Sequence, residues 1–447
     1  MVAIIVVILP LTIGGPVLAA GSGKNPSFIR DAEIENGIRT MATPIFVAAG
    51  IDPDSVQIAI INEAQVNAFV AGGQNLFLYT GLLRRTENAS ELIGVIAHET
   101  GHIAGGHLIR GHDAMAEASV EAIVAMVLGV GAAVLSGNTN AGIATALSGQ
   151  EFARRSLLAF SRGQESAADQ AALSYLDNVG WSAAGMAAFL DKLADQELMP
   201  ADRRVEYIRT HPLTRDRVEA VQRALDRSPN RNHPVPEAFE QLHRRIRAKL
   251  DGFIQPAAAL RRYSPNDPDL VARYARAIAL YRQGTIKEAL PAIDNLIAAE
   301  PNNPFFHELK GQVLLENRRV SDAIAPYRRA VELLPRSGLL RLSLAQAYLE
   351  SGQPGLVDAA ARELDAARHQ ESRSSHLWRL MAEAWGRKGN QGMTAYALAE
   401  EALARGDPRL ALAQSTRAER MLPKGSPGWL RSQDIKAVAE SMIAHED

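Results

Sequence analysis

The chain has 447 residues, 47% of them hydrophobic, and a formal net charge of −2. That length accommodates two or more domains, and the near-neutral balance excludes nucleic acid as an electrostatically favoured partner. It contains no cysteine, which excludes thiolate metal sites, cysteine catalysis, disulfide bracing and acylation of a lipoprotein cysteine.

Residues 1–20 are almost wholly apolar and end in Val17-Leu18-Ala19-Ala20, small residues suited to a signal peptidase, so a signal peptide and export are expected. No basic segment precedes the apolar run. An uncleaved anchor is the alternative, although Pro10, Gly14, Gly15 and Pro16 make a poor spanning helix.

A first domain is expected over residues 25–247. Val56 to Ile61, Val66 to Val70 and Gln74 to Tyr79 have strand composition, and Gly72-Gly73 suits a tight hairpin turn. The run Glu91 to Ala97 has helical spacing of apolar residues, with Ser90 as N-cap. It leads into His98-Glu99-Thr100-Gly101-His102. Residues i and i+4 share one face of a helix, so His98 and His102 can hold one zinc ion together. Glu99 beside them can take a proton from water activated at the metal. In such peptidases an edge strand beside the metal takes up the substrate backbone. Asn75 to Tyr79 is the candidate strand, with Asn75, Leu76 and Phe77 as contacts. The bland alternative is a small sheet that only supports the helix.

A third ligand is required. His107 with Gly105 approaches metzincin spacing, but Leu108 stands where the third histidine belongs. Glu165 is the better candidate. It lies four residues before Asp169 in an alanine-rich segment, so both carboxylates face one way. Asp169 could then orient a ligating histidine through its other ring N–H. Between these motifs, Ala122 to Leu135 and Ala141 to Leu147 are apolar, each shorter than the roughly 20 residues needed to span a bilayer. Residues 122–147 read as a hydrophobic hairpin: a lid over the site, a peripheral membrane contact, or a buried helix pair.

Ser228 to Pro236 breaks the helical pattern, a charged helix follows over Glu237 to Leu250, and a second break spans Ser264 to Pro268. Beyond it, Pro301 and Pro335 lie one tetratricopeptide period apart, and Gly311, Ala323, Tyr327 and Ala330 fall on that repeat's consensus positions. Ala277 and Ala289 match before them. Ala345 and Tyr348 continue the phase, which slips near Gln353-Pro354-Gly355. Trp378 and Ala382, then Ala411, Ala418 and Pro423, resume it. About four helix pairs with a C-terminal capping helix are expected over residues 267–443. Their concave surface would bind peptides or proteins, with Arg341, Trp378, Arg379 and Trp385 as candidate lining.

Asn67-Ala68-Phe69, Gly72-Gly73, Thr80-Gly81-Leu82-Leu83, His98 to His102, Glu165 with Asp169 and Thr210-His211-Pro212 occur in that order. The pattern resembles the HtpX/BepA-like gluzincin metallopeptidases, relatives of the CAAX prenyl endopeptidases, and above all their periplasmic members with tetratricopeptide repeats. The fold implied is mainly α with a small β-sheet: a zincin-like metallopeptidase domain followed by an α-solenoid. The resemblance implies one zinc ion per chain on His98, His102 and Glu165, with Glu99 as general base. It brings His211 near the metal, either to stabilise an oxyanion or to fill the open zinc position. It gives Arg217 a supporting or oxyanion-stabilising role and places Asn67 with the substrate-binding residues. The implied task is cleavage of unfolded or misassembled envelope proteins in the periplasm, with the repeats docking to outer-membrane assembly machinery. The alternative is a chaperone or assembly scaffold whose peptidase site is normally shut.

Overall fold

The computed structural model describes residues 27–107, 162–197 and 206–446. The expected signal peptide and the 122–147 hairpin lie outside them. No helix among the described residues is long and apolar enough to cross a membrane.

The N-terminal part opens with β1 (Phe28–Ile29), α1 (Ala32–Ala48), β2 (Gln57–Ile61), β3 (Ala68–Ala71), β4 (Asn75–Tyr79), α2 (Thr80–Arg85) and α3 (Ala89–Ala104). The strands form one sheet in the order β1-β2-β4-β3. Gly72 and Gly73, at φ 54° and 87°, make the β3–β4 turn in a left-handed conformation that residues with a Cβ rarely adopt. β4 pairs in parallel with β2 on one side and antiparallel with β3 on the other. The expectation that β4 is the edge strand is therefore wrong. Asn75, Leu76 and Phe77 are interior and buried, and the Asn75 amide donates to the Ala71 carbonyl at 3.0 Å, bracing the hairpin. The edge is β3.

Asp31 caps α1 by accepting from the Ile34 N–H at 2.9 Å, and Ile34, Ile38, Met41 and Ile45 line its buried stripe. The cap of α3 is Asn88, two residues before the expected Ser90; its side chain accepts from the Glu91 N–H, and the Ser90 hydroxyl donates to it. α1 packs against α3. Downstream come α4 (Arg162–Asn178), α5 (Ala184–Glu197), α6 (Glu206–Thr210), α7 (Arg215–Arg227) and α8 (Glu237–Ile254). α4 lies so close to α3 that a Cβ on Gly101 would sit 2.8 Å from the Ala168 carbonyl oxygen. Glycine in the middle of the metal-binding motif thus sets the spacing of the two helices that carry the site.

α8 packs against α1, α2 and α3 and also against the first repeat helix, so it belongs to both halves. After α9 (Pro256–Arg262), the repeats run as α10 (Leu270–Arg282) with α11 (Ile286–Ala299), α12 (Pro304–Glu316) with α13 (Val320–Leu333), α14 (Gly338–Glu350) with α15 (Val357–Glu371), and α16 (Ser375–Arg387) with α17 (Gln391–Ala404). α18 (Pro408–Met421) and the 20-residue α19 (Pro427–Glu446) follow. Gly311 lets the Tyr327 ring approach to 2.8 Å from where a Cβ would be. A 3-10 turn at Pro354–Leu356 lengthens the α14–α15 link, which is the origin of the phase slip. Trp378 is buried and donates to the Ser372 carbonyl, so it is core and not lining.

The two halves meet over buried charge. Lys249 of α8, 3% exposed, lies 2.9 Å from Asp31, 3.3 Å from Glu33 and 3.7 Å from Glu308 of α12. Tyr274 of α10 donates to Glu33 at 2.5 Å. Removing Lys249 would strand the carboxylates of Asp31 and Glu33, a defect of roughly 3–5 kcal/mol. Burial lifts the Glu308 carboxyl; Lys249 opposes that lift, Asp31 and Glu33 add to it, and the pKa stands at about 8 against an ordinary 4.5. A carboxyl with a raised folded value stabilises fully below its unfolded value and loses that contribution as pH climbs towards the folded one. Thermal denaturation of the native chain should therefore show stability falling between about pH 5 and pH 8, by at most roughly 1.4 kcal/mol per pH unit from this group. Glu308→Gln should flatten that slope, and parallel slopes for the two proteins would contradict this assignment.

Candidate metal centre

Three elements deliver the site. α3 presents His98 and His102 from successive turns, α4 presents Glu165 and Asp169 from successive turns, and the end of α6 presents His211, whose N–H donates to the Tyr207 carbonyl at 2.7 Å. His98, His102, Glu165 and His211 are buried, and one ligand atom from each lies within 4.8 Å of all the others. His98 Nε2 is 3.1 Å from His102 Nε2 and 3.4 Å from His211 Nδ1. Glu165 Oε1 is 3.0 Å from His211 Nδ1 and 3.2 Å from His102 Nε2. A tetrahedral ion with bonds of roughly 2.0–2.1 Å has ligand–ligand edges of roughly 3.3–3.4 Å, so these spacings fit one small cation.

The protonation pattern points the same way. His98 Nδ1 donates to Asp169 Oδ1 at 2.9 Å, which turns a lone pair on Nε2 towards the centre. His211 Nε2 lies 3.1 Å from the Ala68 carbonyl oxygen. That oxygen can only accept, so in the neutral ring Nε2 carries the proton and the His211 Nδ1 lone pair faces the Glu165 carboxylate. Lone pairs and a carboxylate aimed at one another need positive charge between them. Burial disfavours a charged His98, yet with no ion bound Asp169 and Glu165 outweigh it and hold a proton there, its pKa raised to about 10; a bound cation would take that proton's place on Nε2. Burial and the neighbouring imidazoles push His102 down to about 3. Burial would raise Glu165, but the three histidines hold it far below the usual carboxylate range.

Glu99 is fully buried, and neither of its carboxylate oxygens accepts a hydrogen bond among the described residues. Oε1 lies 3.4 Å from His211 Nε2. Burial raises its pKa, the direction a proton acceptor working near neutrality requires. Arg217, on α7 behind the Thr214 cap, is turned to the carboxylates. Its Nε is 2.7 Å from Asp169 Oδ2, its Nη2 2.9 Å from Asp169 Oδ1, and its Nη1 2.6 Å from Glu165 Oε2. Its Nη1 also donates to the Pro212 carbonyl. In this arrangement Arg217 fixes both carboxylates rather than facing an oxyanion. His107 places its ring 5.4 Å from that of His102 and is not one of the four.

The His211 turn also fastens onto β3. The Tyr207 N–H donates to the Val66 carbonyl, the Thr210 hydroxyl to Asn67 Oδ1 at 3.2 Å, and His211 Nε2 to Ala68. The Tyr207 ring stacks on the His211 imidazole, with centroids 4.5 Å apart and planes at 27°. Tyr207 escaped the sequence reading. Its only signal there is an aromatic residue four positions, one helical turn, before the histidine.

Residues 29–225 match the model of Peptidase family M48, and residues 274–338 that of the Tetratricopeptide repeat. The beta-barrel assembly-enhancing protease of Yersinia pestis is 29% identical over 83% of this chain and 76% of its own length. Its namesake in Escherichia coli (strain K12) is 28% identical over 76% and 69%. Metalloprotease LoiP of the same strain is 28% identical over 38% of this chain and 63% of its own length. Asp169→Asn should weaken metal affinity about 10–100-fold through loss of the partner that orients His98, read by competition with a graded chelator; unchanged affinity would remove Asp169 from the site. Residues 29–225 are a Peptidase family M48 metallopeptidase domain, carried on one chain with tetratricopeptide repeats.

Proposed function

We propose that this chain is a zinc-dependent endopeptidase of the bacterial periplasm that cuts unfolded or misassembled envelope proteins. The observation that carries the reaction is the four-residue cluster whose inward lone pairs and carboxylate require a cation. Three imidazoles and one carboxylate are an ordinary donor set for zinc, and no thiolate is available to the chain. The ion supplies Lewis acidity that polarises the scissile carbonyl and makes water a better nucleophile.

The protein's own groups do the rest. Glu99 takes the proton from the attacking water and passes it to the leaving amine. His98, His102 and Glu165 hold the ion, Asp169 orients His98, and Arg217 pins Asp169 and Glu165. His211, the fourth group of the cluster, would be a donor to the ion at rest and would then have to swing aside for water and substrate to enter. Because its turn also caps the carbonyls of Val66 and Ala68, the same movement frees the β3 edge for an extended substrate segment. Asn67 lies at the head of that edge. Main-chain pairing of this kind favours unfolded chains with little side-chain preference.

The envelope role is supported by the relatives' names, beta-barrel assembly-enhancing protease, and by the apolar segment 1–20 with its small-residue end. On this reading residues 1–20 are a signal peptide, 25–247 the peptidase domain and 267–443 the repeat domain, which docks to outer-membrane assembly machinery. Glu99→Gln should abolish cleavage of an unfolded protein such as casein while one metal ion per chain is retained; persisting cleavage would refute the assigned base. His211→Ala should keep the ion on three ligands and raise the basal rate several-fold. A fall in both metal content and rate would instead make His211 an obligatory ligand.

A further inference from the structure

The face by which the repeats meet the peptidase domain is formed by the first helices of successive pairs, with Glu371 added from the second helix of the third pair. Tyr274 and Glu308 occupy the same position of successive repeats, one 34-residue period apart, and Leu342 comes a further period on. Tyr274 reaches one short segment of the peptidase domain directly, Glu308 reaches it through Lys249, and Leu342 lies in the apolar cluster that takes in its Ala32. Tyr274 donates to Glu33, and Glu308 shares Lys249 with Asp31 and Glu33. Ala32 belongs to the same apolar cluster as Phe305, Leu340 and Leu342. At the segment's other end one Arg30 nitrogen donates to both oxygens of Glu371, at 2.9 Å each, from the last turn of α15.

Such a surface, with an apolar slot for a small residue and charged groups on either side, has the features of a peptide-binding groove. We propose that the face of the first three repeats turned to the peptidase domain, completed by Lys249 of α8, is a peptide-binding site whose resident ligand is the chain's own segment Arg30–Glu33. A peptide in trans with the same order of cation, anion, small residue and anion competes with it. Recruitment through this face then begins with displacement of that segment, and a ligand lacking the pattern must use another part of the molecule.

The probe is a fluorescein-labelled peptide of residues 29–37, followed by anisotropy against the full chain carrying Glu99→Gln, so that the probe is not cut. The parent protein should bind it weakly, because the groove is filled from within. Arg30→Glu, which sets the resident segment against Glu371, should bind it at least tenfold more tightly. Ala32→Gln, too large for the apolar slot, should reproduce the gain by a separate route. A scrambled peptide should bind neither variant. Equal affinity for parent and both variants, no binding to any of them, or equal binding of the scrambled peptide would each overturn the proposal. All these readouts are independent of catalysis, so a failure of the peptidase reading leaves them interpretable.

Discussion

The structure around the site depends on one electrostatic requirement: acceptor groups are brought together in a place that water does not reach. Glu165 and His102 are fully buried, His98 and His211 nearly so, and their lone pairs converge. Unpaired charge in such a place is expensive, and a buried carboxylate persists only with cations against it. Arg217 meets part of that need from behind, through Asp169 and Glu165. The centre of the cluster requires an ion. Convergence of this kind is possible because α3 and α4 approach to backbone contact at Gly101 and Ala168, which lets two pairs of i, i+4 side chains interleave.

A second economy of design lies in the His211 turn. One short turn supplies the fourth donor and also binds Val66, Asn67 and Ala68, where the chain enters the edge strand, with Tyr207 stacked behind the imidazole. On the proposed reading a substrate strand and His211 compete for the same place, so that access to the ion and access to the edge become a single event. α1 extends this linkage. It packs against α3 on one side, and its first turn enters the repeat groove through Asp31, Ala32 and Glu33. Peptidase and repeats are thus joined by buried groups and not by a loose tether.

The parts legible from sequence are those with short-range periodicity. Two i, i+4 pairs on helices announce both their face and their chemistry, so His98, His102, Glu165 and Asp169 could be brought together in advance. The 34-residue spacing of Pro301 and Pro335 announces the solenoid in the same way. What was misread depends on long-range pairing. Whether Asn75 to Tyr79 is an edge or an interior strand is decided by the parallel partner β2, which local composition does not specify. Asn88 displaced Ser90 as cap because either polar residue suits the position and the helix chose its start by packing. The Lys249 junction left no local trace, since its carboxylates come from α1 and α12, far away in the chain. The role of Arg217 likewise depends on which carboxylates the fold places before it.

X-ray absorption at the metal edge of the purified chain tests the central claim most directly. The account predicts one zinc ion per chain with a first shell of three nitrogens and one oxygen at about 2.0–2.1 Å, and loss of the nitrogen from His211, replaced by a light oxygen donor, in His211→Ala. A shell of six oxygens, or metal content that survives Glu165→Gln and His98→Ala unchanged, would contradict it.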